Sequence, residues 1–229
     1  MKITFLGTGA ADWKPIHKDL EGYRRYSSAL VDDCLLIDPG PSVPEALETF
    51  GKDAKRIKYI INTHSHDDHY KKETVEYLSG AEFIHFAPGE KKAIGKYTVI
   101  AEKANHNAFG DTVYLGEAVH FIISDGEKKL FYGLDGAWLL YDEVQTIKKE
   151  GVDYAVLDAT IGDVPGDYRV FEHNNLNMVI DMKLSLEKHV KRFCICHMAR
   201  TLHGTQKELE ARMAPYGVEV ACDGYETII

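Results

Sequence analysis

The six residues His64-Ser65-His66-Asp67-Asp68-His69 constrain this chain more than any other stretch of it, because they follow directly on an apolar run, Tyr59-Ile60-Ile61-Asn62-Thr63. The run reads as a strand, and a chain reversal at a strand end points several side chains into one space. Three imidazoles and a carboxylate in an HxHxDH arrangement are the donor set that zinc and similar divalent ions prefer. A polar surface loop would give so many imidazoles little reason to gather. A metal site needs further ligands, and three polar residues stand where apolar strands run out. His106 follows the β-like 96–101 segment, Asp135 ends Leu130-Phe131-Tyr132-Gly133-Leu134, and His197 ends Phe193-Cys194-Ile195-Cys196. Each alone is a weak signal; with the cluster at 64–69 they form a set.

The rest of the pattern says what carries such a set. Short strands are expected at 2–6, 28–31 and 34–37, and the Asp38-Pro39-Gly40-Pro41 punctuation then stops the chain. A helix is expected at 42–50, with Ser42 as N-cap and Gly51 just past its end. A strand at 57–62 leads through the cluster into a helix expected at 68–78. β-branched and aromatic residues mark strands at 96–101 and 112–124, and Asp125-Gly126 is a hairpin turn into a strand at 129–134. Helices at 139–150, 175–190 and 205–214 then alternate with strands at 154–157, 192–196 and 218–221. Strands with helices, then hairpins, then strands with helices again, imply two sheets face to face with helices outside. The expected fold class is α/β (α+β), a four-layer αββα sandwich forming one domain over residues 1–229.

With these residues in place the chain resembles the metallo-β-lactamase-fold hydrolases. The resemblance covers nearly the whole chain. Phe5-Leu6-Gly7-Thr8-Gly9-Ala10-Ala11-Asp12, Arg24-Arg25-Tyr26-Ser27-Ser28-Ala29-Leu30, Leu157-Asp158-Ala159-Thr160 and His173-Asn174-Asn175 look like one subgroup. That subgroup holds the phosphoribosyl cyclic phosphate phosphodiesterases and, more distantly, the tRNA 3′-end endonucleases. The resemblance implies His64, His66 and His106 on one metal, Asp68, His69 and His197 on the other, and Asp135 bridging the two. It implies His173 as general acid; Asp68, as a ligand with a free oxygen, could also orient the nucleophile. The cofactors implied are two divalent ions, zinc first, with manganese or iron permitted by the same donors. Such a pair lowers the pKa of a shared water enough to present hydroxide at neutral pH. The phosphodiesterases carry a separate zinc on a cysteine cluster near the N-terminus. The matching region here, Trp13-Lys14-Pro15-Ile16-His17-Lys18-Asp19-Leu20, has no cysteine, so that zinc is not expected.

The formal net charge of −9 argues against binding long nucleic acid, which needs a basic surface. A small phosphoester or cyclic phosphate is the expected substrate, since metal ions can supply local positive charge. Lactone, thioester or β-lactam hydrolysis is the alternative on the same metals, and a non-hydrolytic metal-binding or di-iron redox protein is the third reading. Arg24 or Arg25 could grip a phosphate or form a solvated edge, His203 could support the site from behind, and Asp158 could hydrogen-bond loop backbone near the metals. His17, His85, His120 and His189 have no spacing that commends them and read as structural. Cys34, Cys194, Cys196 and Cys222 lack CxxC spacing and read as reduced thiols. No stretch is long and apolar enough for a membrane span, and the N-terminus lacks a signal-peptide core. A cytoplasmic protein is the default, and a homodimer is compatible with the sequence.

Overall fold

A computed structural model describes residues 1–107 and 114–229. In chain order its elements are β1 (Lys2–Gly7), β2 (Ser28–Val31), β3 (Leu35–Ile37), α1 (Val43–Thr49), β4 (Tyr59–Ile61), α2 (Lys72–Tyr77), β5 (Glu82–Phe83), β6 (Lys91–Ile94) and β7 (Tyr97–Lys103). They continue with β8 (Val119–Ser124), β9 (Lys129–Gly133), α3 (Tyr141–Glu150), β10 (Val152–Asp158), α4 (Leu176–Leu186), β11 (Val190–Cys196), α5 (Gln206–Met213), β12 (Val218–Val220) and β13 (Glu226–Ile228). One mixed sheet runs β13-β1-β2-β3-β4-β5 and the other β12-β11-β10-β9-β8-β7-β6.

Alternation along the strands divides the buried side chains into three layers of contact. Ile3, Phe5, Val31 and Ile37 of the first sheet meet Val99, Phe121, Tyr132 and Val156 of the second. On the outer side of the first sheet, Leu6, Leu30, Leu36 and Ile60 pack on Val43 and Leu47 of α1. On the outer side of the second, Ile122, Phe131, Leu157 and Ile195 pack on Ile147, Val179, Met182 and Leu209 of the later helices. The fold is thus the expected αββα sandwich. Helix starts are marked by local chemistry: Asn175 accepts the Met178 N–H, and Thr205 and Glu208 form a reciprocal capping box.

Several boundaries differ from the sequence reading, each for a local reason. Helix α2 begins at Lys72, not residue 68; residues 67–69 form a turn in which the His69 and Tyr70 N–H groups both reach the His66 carbonyl at 2.9 Å. Helix α4 stops at Leu186 because Val190 already pairs with Val152 as the first residue of β11. Ser42 stands at the start of α1 without capping it, its hydroxyl instead accepting the Tyr26 N–H at 3.4 Å. The strand expected at 112–124 starts only at Val119, and its first two residues lie outside the described ones. Strands β5, β6 and β13 are not among the expected ones; they are short or half-exposed edges with little periodicity to betray them. Among the described residues no helix is long and apolar enough to cross a membrane.

The topology decides where a site can form. β9, β10, β11 and β12 are mutually parallel, and β7 runs the same way because β8 lies antiparallel to both its neighbours. The C-terminal ends of β7, β9, β10 and β11 therefore open on one edge. Met198, just past β11, bridges to Gly9, just past β1, which stitches that edge to the first sheet.

Candidate metal centre

Four loops meet at this edge. The one after β4 carries His64, His66, Asp68 and His69; those after β7, β9 and β11 carry His106, Asp135 and His197. His66 Nδ1 lies 2.9 Å from His64 Nε2 and 3.2 Å from His106 Nε2. Asp135 Oδ2 is 3.7 Å from both His64 Nε2 and His106 Nε2. The other Asp135 oxygen, Oδ1, is 3.2 Å from His69 Nε2 and 3.0 Å from His197 Nε2, while Asp68 Oδ2 sits 3.5 Å from His69 Nε2. All seven expected ligands are thus brought together as two groups of donors that share one carboxylate.

Hydrogen bonds behind the rings fix which nitrogen faces the centre. Thr63 commits its only hydroxyl hydrogen to Asp38 Oδ1, so the His64 Nδ1–H donates to the Thr63 oxygen at 3.0 Å. His69 Nδ1–H donates to Asp38 Oδ2 at 2.9 Å, and His106 Nδ1–H to the Glu172 carbonyl at 3.0 Å. Ser27 gives its hydrogen to the Gly9 carbonyl and accepts from His197 Nδ1 at 3.0 Å. In all four rings Nδ1 is the nitrogen tied up behind the ring and Nε2 is the one that faces inward, the orientation a metal-ligating imidazole takes. His197 holds a left-handed backbone, φ 62°, unusual for a side chain of its size. The Thr160 hydroxyl on the His197 carbonyl, at 3.0 Å, helps hold it there.

This arrangement tests well as a cation site. Lone pairs of His64 and His106 both face His66 Nδ1, which has at most one hydrogen to offer. Among the described residues, Asp68 Oδ2, His69 Nε2 and Asp135 Oδ1 are buried without a hydrogen-bond partner of good geometry. Buried polar groups are normally paired, so the donors fit a dinuclear divalent centre. Without cations, burial lowers His64 well below the usual imidazole range and brings His106 down to about 4, both in the neutral form a metal needs. His69 moves the other way: burial is outweighed by Asp135, Asp68 and Asp38, which raise it well above the ordinary value. A cation at that position would displace a proton.

His173 stands beside this cage but is held differently. Its Nδ1 lies 2.8 Å from Asp158 Oδ2, and its ring is 4.9 Å from that of His106 and 5.8 Å from that of His197. Burial pushes the imidazole down, but the Asp158 carboxylate, helped by Asp135 and Asp68, raises it to about 9. The Asp158 carboxylate also accepts from the Thr160 and Asn174 N–H groups. So committed, it serves to orient His173 and the loop. His203 donates from Nε2 to the carbonyls of Ala159 and Thr160 at 2.6 and 3.1 Å, which braces that same loop without touching a ligand.

The two arginines point elsewhere. Arg24 is buried and bonds Thr8, Gln206 and the Ala221 carbonyl; Arg25 reaches Glu45, Thr49 and Asp223. The opening beside the donors is lined by other residues, which the sequence reading misses. A cleft of about 510 Å³ is lined by His66 and Asp68 together with Lys14, Tyr26, Pro41 and Lys71. Burial and then the Asp68 carboxylate push the Tyr26 phenol up to about 12, so it stays a neutral donor. Asp38 is missed as well, since its sequence neighbours mark only a chain stop.

Two mixed sheets face to face, helices outside, and histidines and aspartates gathered at one edge define the metallo-β-lactamase fold. A family model described as the metallo-beta-lactamase superfamily matches residues 24–71, the segment that contains the HxHxDH cluster. No curated protein matches the sequence. Among solved structures the chain is similar to Zn(2+)-bound PqqB from Methylobacterium extorquens, at 17% identity and a TM-score of 0.74, covering 100% of both chains. It is similar to the human tRNase Z short form, at 18% identity and 0.72, covering 100% of this chain and 99% of that one. A diphosphatase from the PhnP family aligns at 19% identity and 0.70, covering 99% and 97%. At these identities the likeness establishes the fold.

Proposed function

We propose that this protein is a dinuclear metal-dependent hydrolase of small phosphoesters or cyclic phosphates. The observation that carries the reading is the Asp158–His173 pair beside the two donor groups. Bound there, divalent cations supply a water of lowered pKa and a Lewis-acid clamp for a substrate oxygen. His64, His66 and His106 would hold one, Asp68, His69 and His197 the other, with Asp135 shared. Asp158 engages His173 Nδ1, so Nε2 is the nitrogen left to protonate a departing alkoxide. Asp68 faces His69 through one oxygen and keeps the second to orient the attacking water. An acid does little for a thioester, whose thiolate departs readily and whose demand is for oxyanion stabilisation, and it suits a phosphoester with a poor leaving group.

The cleft supports the same choice. In a chain of net charge −9, Lys14 and Lys71 flank the opening to His66 and Asp68, and Tyr26 adds a neutral hydrogen-bond donor. One of the structures sharing the fold is named a diphosphatase, which is chemistry at phosphorus. The test is a screen of zinc- and manganese-loaded protein over alkyl and nitrophenyl phosphodiesters, cyclic nucleotides, lactones and thioesters, repeated with His173→Ala. Loss of about 10²–10⁴-fold on alkyl esters, against less than about tenfold on nitrophenyl esters, is expected of a general acid. Preferential lactone or thioester turnover, with equal loss across leaving groups, would refute the reading.

A further inference from the structure

Beneath Asp135 lies a polar pair that none of the chemistry above uses. His120 on β8 and Glu143 on α3 are each only 1% exposed, with Nδ1 and Oε1 2.6 Å apart. The other ring nitrogen, Nε2, is 3.1 Å from the carbonyl oxygen of Asp135. A carbonyl only accepts, so Nε2 carries hydrogen, and a further hydrogen must lie between Nδ1 and the carboxylate. The second Glu143 oxygen accepts the Leu140 N–H at 3.2 Å, which ties the pair to the start of α3. Gly136 leaves room for the ring: a Cβ there would come within 2.7 Å of it.

Such a pair is a poor device for stability, because apolar residues of similar volume commonly serve as well without the desolvation cost. Its surroundings, Ile122 and Phe131 on the helix-facing side of the sheet, would accept them. What it does contact is the turn that presents Asp135, and that turn is gripped at three successive carbonyls. His120 holds the oxygen of residue 135, Asn174 that of 136 at 2.8 Å, and Asn105 that of 137 at 2.8 Å. Asn174 also accepts the Trp138 N–H at 2.8 Å. Asn105 and Asn174 adjoin His106 and His173, so two of the three grips register the turn against neighbours in the site. The third registers it against α3.

Resting on the dinuclear reading above, we propose that Glu143 and His120 are positioning residues for the shared carboxylate. They hold the Asp135 backbone so that one oxygen stays equidistant from His64 and His106 while the other faces His69 and His197. With that carbonyl released, the carboxylate would be free to turn toward one group of imidazoles, and a cation held by the other group would lose Asp135 as a ligand.

The experiment compares wild type, the apolar double variant His120→Leu/Glu143→Leu, and Glu143→Gln. The amide introduced by Glu143→Gln can donate to His120 Nδ1 and accept from Leu140, which keeps the hydrogen-bonded path. Each is titrated with Mn²⁺ against a chelator of known affinity and followed by electron paramagnetic resonance for the exchange-coupled pair, with melting of the metal-free protein as control. The double variant is expected to melt near wild type and to bind its first ion. Its second-ion affinity should fall by about 10–100-fold, as when a supporting partner of a ligand is lost, and the coupled signal should vanish. Glu143→Gln should bind both ions. Wild-type affinity for the second ion in the double variant overturns the proposal while leaving the dinuclear reading intact; a wild type that never binds a second ion overturns both. Should the double variant not fold, His120→Gln decides, since its amide cannot reach Asp135 and Glu143 together: weakened second-ion binding supports the proposal and unchanged binding overturns it.

Discussion

Removing the cations should lower the melting temperature by an amount the geometry bounds. Asp68 Oδ2, His69 Nε2 and Asp135 Oδ1 are buried and lack well-formed hydrogen bonds among the described residues. An unsatisfied buried polar group costs about 1–3 kcal/mol. His69 Nε2 and Asp135 Oδ1 lie 3.2 Å apart and relieve one another in part, so they count as one group. Two effective groups give roughly 2–6 kcal/mol. In a chain of this size each kcal/mol moves the melting point by about 2–4 °C, so stripping the metal should lower it by roughly 4–24 °C. The assay is calorimetry of chelator-dialysed protein against protein carrying zinc or manganese, with metal content measured on the same samples. The upshift should grow with the logarithm of free metal, as mass action on the folded state requires. Asp135→Asn should lose most of it, since that carboxylate serves both groups. Equal melting points for stripped and loaded protein, or a full upshift in Asp135→Asn, would refute the reasoning.

Two further outcomes are expected. Asp38→Asn removes the carboxylate that receives the His69 Nδ1–H and should weaken metal binding about 10–100-fold; chelator competition measures it, and unchanged affinity would count against the orientation argument. In the metal-free protein His173 is raised to about 9 from the ordinary 6.5, so its contribution is whole below about pH 6.5 and is lost as pH rises through about 9. The shift corresponds to roughly 3 kcal/mol; urea denaturation at pH 6 and 9.5 should show that loss in wild type, and Asp158→Asn should flatten it.

The central strands are legible in the sequence because their alternation faces two different layers. Val99 and Ala101 turn inward while Ile100 packs outward, and Phe121 and Ile123 alternate with Ile122 in the same way. The ligands are legible for a different reason: polar residues directly after apolar strands have nowhere to go but the rim. The start of α2 is misjudged because Asp68 and His69 sit in a helix-compatible run, yet as donors they need the divergent directions of a turn. Asp38 is hidden inside a Pro-Gly segment whose punctuation explains itself without reference to a site. His120 escapes notice because its partner Glu143 is 23 residues away, on a helix that periodicity can place but not orient. Lys14 and Lys71 carry no local pattern at all; only the folding of the 11–26 segment across the β4 loop makes them neighbours of one cleft.

The donor residues come from both leaves of the sandwich, the 64–69 loop from one and the three remaining loops from the other. Cations here would act as rivets, closing the two leaves against each other at the working end. The 11–26 segment supplies Lys14 and Tyr26 to the cleft but no rivet, so it can be rewritten for a new substrate without recutting the joint that keeps the molecule shut.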